Sequence, residues 1–189
     1  MHNNRNIPVL GFIAFSGMGK TTLLLRLIPL LRERGLRVGL VKHCHHGFEI
    51  DKPGKDSFAL RKIGANPVLV ASRHRWAIMK ETPGQDEPML KDILARFDED
   101  GPDIILVEGF RHEKFPKIEL HRPGLEKPLL CLDDPFVIAL ATDDAISEKV
   151  SIPILDLNRP DQIVAFIMEN IIDTAAKSTS GASPRTDEA

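Results

Sequence analysis

The sequence predicts an α/β fold of the three-layer type, with helices on both faces of a mainly parallel sheet. Short apolar runs of strand length alternate with segments of helical periodicity along most of the 189 residues. Strands separated by helices are typical of βαβ units, whose strands lie parallel in one sheet. A glycine-rich loop joins the first apolar run to the first helical segment, and this is the arrangement of a phosphate-binding loop.

The predicted elements follow from local signals along the chain. Strands are predicted at residues 9–15, 38–42, 67–71, 76–81, 104–107, 117–121, 136–141 and 152–155. Helices are predicted at residues 22–34, 56–63, 87–97 and 160–172, with Gly35 and Gly64 as stops and Pro160 in a first turn. Because residues 76–81 and 117–121 alternate polar and apolar side chains, we expect them to form an antiparallel extension of the sheet.

Composition narrows the class of protein. A net charge of −2 and a pI of about 6.4 do not indicate a nucleic-acid-binding or membrane-surface protein. No run of 18 apolar residues occurs, and no secretory signal is visible at the amino end. The two cysteines, Cys44 and Cys131, do not form a disulfide framework, so we expect a cytoplasmic location. We expect one domain over residues 7–173 and a disordered tail over 174–189, where large apolar residues are few.

The glycine-rich loop carries the strongest functional signal. In G-x-x-x-x-G-K-[ST] loops, backbone N–H groups converge on phosphate oxygens at a helix N-terminus. We therefore expect Lys20 to reach the β- and γ-phosphates and the Thr21 hydroxyl to bind Mg²⁺. The first position of the pattern is Ala14, the mildest replacement for glycine if its φ stays negative. The predicted nucleotide-binding residues here are Ser16, Gly17, Met18, Gly19, Lys20, Thr21 and Thr22.

The loop after the second strand is dense in histidine, aspartate and lysine, and three interpretations of it remain open. In the first, Asp51 binds Mg²⁺, and Lys52 and Lys55 contact phosphate, because ligands bind beyond the carboxyl ends of parallel strands. In the second, the cluster at residues 43–46 (His43, Cys44, His45 and His46) binds a soft metal, as in a metal-delivery module. In the third, these side chains are simply solvated.

Two further strand ends carry acidic residues. Four apolar residues precede Glu108, as in a Walker B strand, so Glu108 is expected to hold Mg²⁺ or to orient an attacking water. Thr142 and Asp143 follow another strand, where an acid can accept hydrogen bonds from the N1–H and 2-amino groups of guanine. For Glu108 the alternative is an ordinary carboxylate at a strand end. For Thr142 and Asp143 the alternative is a turn without a ligand.

With these residues in view, the chain resembles the MobB family of molybdopterin-guanine dinucleotide biosynthesis proteins over about residues 7–172. The resemblance rests on the phosphate loop and on four further blocks of sequence: His45-His46 followed by Asp51-Lys52-Pro53-Gly54-Lys55-Asp56-Ser57, Arg61-Lys62-Ile63-Gly64-Ala65, Val107-Glu108-Gly109-Phe110, and Pro116-Lys117-Ile118-Glu119. The phosphate loop alone is unspecific. The Asp-Lys-Pro-Gly-Lys-Asp-Ser block in the right order behind it is much more specific.

The resemblance implies a P-loop NTPase-like protein that binds GTP with Mg²⁺ and hydrolyses it weakly. It implies that Lys20, Thr21, Asp51 and Glu108 carry nucleotide and metal. We predict that any catalytic role falls to Lys20 and Glu108. It also implies a homodimer that supports MobA, the nucleotidyltransferase that joins GMP to molybdopterin, with molybdopterin itself as a candidate ligand. A small-molecule kinase or ATP-dependent ligase on the same fold is the alternative, since the guanine signature Asn-Lys-x-Asp is missing.

Overall fold

The computed structural model describes residues 7–44, 47–84, 87–97 and 101–180. These residues form two compact units. The first unit combines the chain up to His43 with the chain from Leu90 onward, and the second unit spans Cys44–Met89. The second unit follows the strand at Val38–Lys42 and ends before the helix at Leu90–Leu94. The single domain expected over residues 7–173 stays a prediction.

The first unit contains a six-stranded sheet in which every neighbouring pair is parallel. The strand order is β2-β5-β1-β6-β7-β8. The strands are β1 (Val9–Ile13), β2 (Val38–Lys42), β5 (Ile104–Glu108), β6 (Lys117–His121), β7 (Val137–Thr142) and β8 (Ile154–Asp156). Because all six strands run the same way, their carboxyl ends meet at one edge, where the ligands of such sheets bind.

Helices cover both faces of this sheet, as the predicted fold class requires. The helices of the first unit are α1 (Lys20–Glu33), α3 (Leu90–Leu94), α4 (Pro160–Ile167) and α5 (Asp173–Ser180), with a π-helical turn at Met168–Ile172 and a 3₁₀ turn at Pro123–Leu125. One face packs Leu10, Phe12 and Ile118 against apolar side chains of α1 and α4. The opposite face packs Ile105 and Val107 against α3. The three-layer α/β/α prediction is confirmed.

The prediction for β6 was wrong in its pairing. Lys117–His121 lies in the interior of the parallel sheet, between β1 and β7, and is not part of an antiparallel extension. Its alternation indicated a solvent face, but Lys117, Glu119 and His121 are at most 5% exposed. The protein itself supplies hydrogen-bond partners to Lys117 and Glu119, which removes most of the penalty of burying these two polar groups. His121 Nδ1 is buried without a partner among the described residues.

Partners for this polar face come from neighbouring loops. The Lys117 ammonium donates to the carbonyls of Arg111 (3.0 Å) and Glu113 (2.7 Å) and pairs with the Asp134 carboxylate at 2.6 Å. The Glu119 carboxylate accepts the backbone N–H groups of Leu130 (2.8 Å) and Cys131 (2.7 Å). The polar face of β6 therefore anchors the connections on both sides of the strand.

Three helical boundaries differ from the sequence prediction. The helix expected at residues 87–97 is only Leu90–Leu94, and α1, expected at residues 22–34, begins at Lys20 and ends at Glu33. Helical structure also continues past residue 172 through α5, where the start of a disordered tail was expected at 174. Ala175, Ala176 and Lys177 in the middle of α5 have high helix propensity. None of the helices in the described ranges is long and apolar enough to cross a bilayer.

The second unit contains α2 (Asp56–Lys62) and a separate two-stranded antiparallel sheet of β3 (Val68–Ala71) and β4 (Trp76–Met79). Residues 76–81 were expected to extend the main sheet, but β4 pairs with β3 in a sheet of its own. Arg61 of α2 donates to the carboxylates of Glu49 and Glu81, each at 2.6 Å. These bonds tie the helix to the segments that enter and leave the unit.

Candidate functional site

The glycine-rich loop lies between the end of β1 and the start of α1, as its sequence predicts. Gly17 and Gly19 have φ of 82° and 91°, in the left-handed region that favours glycine. Gly19 is the N-cap of α1, and its carbonyl accepts the N–H of Leu23 at 2.9 Å. Met18 is buried at 1% exposure and anchors the loop to the core. The loop therefore presents its backbone at the positive end of the helix dipole.

Ala14 accommodates the departure from the glycine pattern. The φ of Ala14 is not positive, so its methyl group causes no backbone strain. Its carbonyl accepts a hydrogen bond from the Lys20 ammonium at 3.2 Å. The Lys20 side chain is thus folded back over the loop, on the side from which a phosphate approaches.

Burial lowers the pKa of Lys20 from its ordinary value of 10.5. The Glu108 carboxylate opposes this shift, and the Lys42 ammonium adds to it. A partly dehydrated ammonium gains strongly from an anionic ligand, because the ligand replaces the lost hydration. This electrostatic setting is suited to a phosphate group.

Glu108 lies at the carboxyl end of β5 beside the start of α1. Its Oε1 accepts the Thr21 hydroxyl at 3.0 Å, and its Oε2 lies 3.5 Å from the Lys42 ammonium. Its side chain is only 12% exposed. The structure therefore brings together three of the residues expected at the site, Lys20, Thr21 and Glu108, and adds Lys42, which the sequence did not single out.

The backbone after Glu108 makes a tight turn that requires glycine. Gly109 has φ of 104°, and a Cβ atom there would lie 2.8 Å from the His43 Cβ. The His43 ring stacks on the Phe110 ring with centroids 4.5 Å apart, and Phe110 itself has a positive φ of 51°. The N–H of His43 also donates to the Glu108 carbonyl at 2.9 Å. These contacts fix the backbone that carries the Glu108 carboxylate.

The donor set at Thr21 and Glu108 fits Mg²⁺. A hydroxyl and a carboxylate are hard oxygen ligands, and Mg²⁺ in nucleotide sites takes one or two such groups together with phosphate oxygens and water. In the described ranges, no group of three or more histidine, cysteine, aspartate or glutamate side chains is arranged to hold a metal by itself. The protein oxygens thus suit a metal that arrives with a nucleotide.

The residues predicted from the Asp-Lys-Pro-Gly-Lys-Asp-Ser block lie in the second unit. Asp51 Oδ1 accepts the Ser57 hydroxyl at 3.1 Å and the Lys52 N–H at 3.0 Å. Asp51 Oδ2 is buried and has no hydrogen-bond partner among the described residues. Lys52 and Lys55 are exposed. A buried carboxylate oxygen without a donor is suited to bind a cation, which agrees with the magnesium role predicted for Asp51. This role and the phosphate role of Lys52 and Lys55 stay predictions.

The histidine cluster is only partly within the described residues. His45 and His46 lie outside them. Cys44 is exposed as a free thiol, and His43 is engaged with Phe110. The soft-metal hypothesis therefore stays a prediction.

The predicted guanine-recognition residues lie at the end of β7. The Thr142 hydroxyl donates to the Asp144 carbonyl at 2.9 Å, so it closes the turn. The Asp143 carboxylate is hydrogen-bonded by Arg122, which directly follows β6. Arg122 was missed because β6 was predicted outside the parallel sheet. Correct placement of β6 identifies the residue, since the first residue after a parallel strand lies at the ligand edge.

The parallel sheet and the glycine-rich loop between β1 and α1 together make this a P-loop NTPase-like α/β protein. A solved structure described as molybdopterin-guanine biosynthesis protein B (mobB) superposes with a TM-score of 0.66 at 26% identity, over 85% of this chain and 98% of that one. The family model of molybdopterin guanine dinucleotide synthesis protein B matches residues 9–143. The chain belongs to this MobB family.

Two relatives are similar over nearly their whole length. A molybdopterin-guanine dinucleotide biosynthesis adapter protein of Escherichia coli (strain K12) is 48% identical over 164 residues, which cover 86% of this chain and 93% of the relative. A protein of the same description from Haemophilus influenzae (strain ATCC 51907 / DSM 11121 / KW20 / Rd) is 46% identical over 165 residues, which cover 87% of this chain and 89% of the relative. The resemblance seen in the sequence is confirmed.

Proposed function

We propose that this protein binds Mg·GTP at residues 16–22 and acts as an adapter in the attachment of GMP to molybdopterin. The observation that carries the proposal is the convergence of Lys20, Thr21 and Glu108 at the loop, with Thr21 and Glu108 3.0 Å apart. The relatives' description as biosynthesis adapter proteins supports the pathway. The loop would bind the phosphates, and Asp143 would select guanine.

Weak hydrolysis follows from the way Glu108 is held. Its two oxygens already face Thr21 and Lys42, so it is suited to hold a metal rather than to take a proton from water. When bound, Mg²⁺ would supply neutralisation of the phosphate charge. Lys20 would hold the terminal phosphates. We therefore expect binding to be the main activity and hydrolysis to be slow.

Calorimetry with Lys20→Ala tests nucleotide binding. We expect the variant to lose at least about a hundredfold in Mg·GTP affinity, because the loop keeps its N–H groups but loses the cation that reaches the terminal phosphates. Lys91→Ala on α3 is the matched control, since Lys91 is exposed and lies on a different helix. Unchanged affinity in Lys20→Ala would contradict the proposal, and a clear preference of the wild type for ATP would favour a kinase or ligase.

We further propose that the partner is a MobA-like nucleotidyltransferase in the cytoplasm, with molybdopterin as a second ligand. An adapter that presents GTP should bind its enzyme differently when loaded. A pull-down with purified nucleotidyltransferase, with and without Mg·GTP, tests this, and Lys20→Ala serves as the unloaded control. Failure to retain the enzyme in either state would contradict the adapter role while leaving nucleotide binding intact.

The second unit supports the proposal of a homodimer. Register places Leu69 opposite Ile78 and Ala71 opposite Trp76, so these four side chains share one face of the β3–β4 sheet. On this apolar face Leu69, Trp76 and Ile78 are 53–62% exposed in the single chain. An exposed sheet face of this kind is a typical interaction surface, and we propose a second copy of the chain as its occupant.

Sedimentation of Ile78→Asp tests the dimer. We expect the wild type to sediment as a dimer and Ile78→Asp as a monomer, because a buried unpaired carboxylate would oppose association. Leu132→Asp is the control, since Leu132 is as exposed (57%) but lies in the first unit. Trp76, the single tryptophan, should fluoresce at longer wavelength in the monomer. A monomeric wild type would contradict the proposal.

A further inference from the structure

Arg122 joins two parts of the candidate site that the sequence treated separately. Its Nε donates to the Met18 carbonyl of the phosphate loop at 3.1 Å. One of its terminal nitrogens donates to the Asp143 carboxylate at the end of β7. A second terminal nitrogen lies 3.5 Å from the position that a Cβ on Gly19 would occupy. The guanidinium therefore lies against the loop and links it to the carboxylate proposed to recognise the base.

We propose that Arg122 is a positioning residue that fixes both the phosphate loop and the base-recognising carboxylate, and thereby sets selectivity for guanine nucleotides. The inference rests on the proposed function, because it concerns the same nucleotide site. It assigns to Arg122 a role that acts through Met18 and Asp143.

The first half of the role concerns a loop peptide. A peptide group is planar and trans, so its C=O and N–H point in opposite directions. By holding the Met18 carbonyl, Arg122 fixes the direction of the Gly19 N–H on the other side of the same peptide. That N–H belongs to the loop segment whose donors converge on phosphate. A loop peptide fixed before binding loses less conformational entropy when the phosphate arrives.

The second half concerns Asp143. Guanine presents two adjacent donors, N1–H and the 2-amino group, whereas adenine presents no such pair. A carboxylate has about four lone-pair sites, so Asp143 can accept from Arg122 and still accept both guanine donors. Asp143 is on an exposed turn, and the bond from Arg122 restricts its rotamer.

A direct phosphate contact by Arg122 would have a different signature. A phosphate ligand would contribute equally to GTP, ATP and inorganic triphosphate, because all three carry the same chain of phosphates. A residue that orients Asp143 would contribute mainly to guanine nucleotides. The selectivity among these three ligands therefore separates the two roles.

The experiment measures the affinities of Mg·GTP, Mg·ATP and Mg·triphosphate for the wild type and for Arg122→Met by calorimetry. We expect Arg122→Met to weaken GTP about tenfold more than ATP or triphosphate, as the loss of one orienting charged hydrogen bond predicts. Arg159→Met is the matched control, because Arg159 makes a similar bond to Asp161 (2.8 Å) at the start of α4. The control should leave all three affinities unchanged.

Asp143→Asn provides a second arm that does not depend on the folding of Arg122→Met. Asparagine keeps an oxygen for Arg122 and turns an N–H toward the base, which suits xanthine, since xanthine has an oxygen where guanine has the 2-amino group. We expect Asp143→Asn to prefer Mg·XTP over Mg·GTP. The XTP preference should fall about tenfold when Arg122→Met is added, because the two residues act as a coupled pair.

The outcomes are distinct. If the wild type binds no Mg·GTP, both the proposed function and this inference are wrong. If the wild type binds Mg·GTP but Arg122→Met weakens the three ligands equally, only this inference is overturned, because Arg122 then acts on the phosphates alone and does not set selectivity for guanine. An unchanged GTP preference in Asp143→Asn overturns it as well. A selective loss of GTP together with the switch to XTP supports it.

Discussion

The Thr21 hydroxyl donates to Glu108 Oε1 at 3.0 Å, so two side chains from distant parts of the sequence meet at the start of α1. Thr21 is in the first turn of α1, and Glu108 is the last residue of β5. Adjacent pairing of β1 with β5 brings them together. In the proposed complex the Thr21 hydroxyl oxygen and Glu108 Oε1 would both face Mg²⁺, and the hydrogen bond between them would be lost.

Glu108→Gln should make nucleotide binding less dependent on magnesium. We expect Mg·GTP affinity to fall about tenfold, since the amide is a poorer ligand for a hard cation. Affinity for GTP without Mg²⁺ should rise, because a negative charge beside the phosphates has been removed. Titrations with Mg²⁺ and with EDTA measure both values. Asp103→Asn, at the other end of β5, is the control, and a fall of equal size in both conditions would argue against metal binding by Glu108.

Gly109→Ala should destabilise the first unit and disturb the site. The added Cβ would meet the His43 Cβ at 2.8 Å in a backbone with φ of 104°, so we expect a loss of about 2 kcal/mol in the free energy of unfolding. Urea denaturation measures the loss. Gly124→Ala is the matched control, because a methyl group there would have nothing within 4 Å and its φ is not in the left-handed range. Equal stability of the two variants would show that the turn tolerates a side chain.

Asp134→Asn should destabilise the protein through Lys117. The Lys117 ammonium lies on a side chain that is 1% exposed and pairs with Asp134 at 2.6 Å, so loss of the counter-charge leaves a buried cation with neutral partners. We expect a loss of about 3 kcal/mol in the free energy of unfolding, measured in urea. Asp161→Asn removes an exposed pair at 2.8 Å and should leave the unfolding midpoint unchanged. A midpoint for Asp134→Asn equal to the wild type would refute the buried pairing.

The two cysteines should differ in reactivity. Burial, followed by the nearby Glu119 carboxylate, raises the pKa of Cys131 to about 12, whereas Cys44 is an exposed thiol. At pH 8 a thiol with that pKa is ionised to about one part in ten thousand, and the thiolate is the reactive form. We expect a thiol reagent at pH 8 to modify Cys44 quickly and Cys131 only on unfolding. Cys44→Ser should abolish the fast phase, and a fast phase that persists in that variant would contradict the prediction.

The same pKa predicts how stability depends on pH. Between the ordinary thiol value of 9.0 and about 12, the unfolded chain has lost the Cys131 proton while the folded chain keeps it. Stability therefore falls as pH rises through this interval, since the unfolded state binds fewer protons there. Denaturation at several alkaline pH values measures the slope. Cys131→Ser should have a shallower slope, and identical slopes would indicate that Cys131 does not contribute.

The core of the site was predictable because a parallel sheet collects its strand ends at one edge. The loop sequence identified Lys20 and Thr21, and the apolar run before Glu108 placed that acid beside them. No knowledge of side-chain packing was needed, since the pairing of β1 with β5 is enough to bring the two strand ends together.

Lys42 and Arg122 were missed for physical reasons. Lys42 ends a strand, but a lysine at that place is equally compatible with a solvated charge. Arg122 follows a strand whose alternating pattern is typical of an antiparallel strand with one wet face. The partners that allow Lys117 and Glu119 to be buried come from loops at residues 111–113 and 130–134, and no local pattern reveals such distant contacts.

The buried polar face of β6 has a consequence for how the sheet assembles. A shift of β6 by one residue would exchange its two faces, placing three ionisable side chains among the leucines of α1 and sending Ile118 and Leu120 toward carbonyls and amides. A one-residue shift is thus penalised twice, once for charges buried among apolar side chains and once for lost hydrogen bonds. The two faces of β6 therefore oppose a one-residue error in its alignment with β1 and β7, and the native alignment is the one in which Arg122 donates to the Met18 carbonyl.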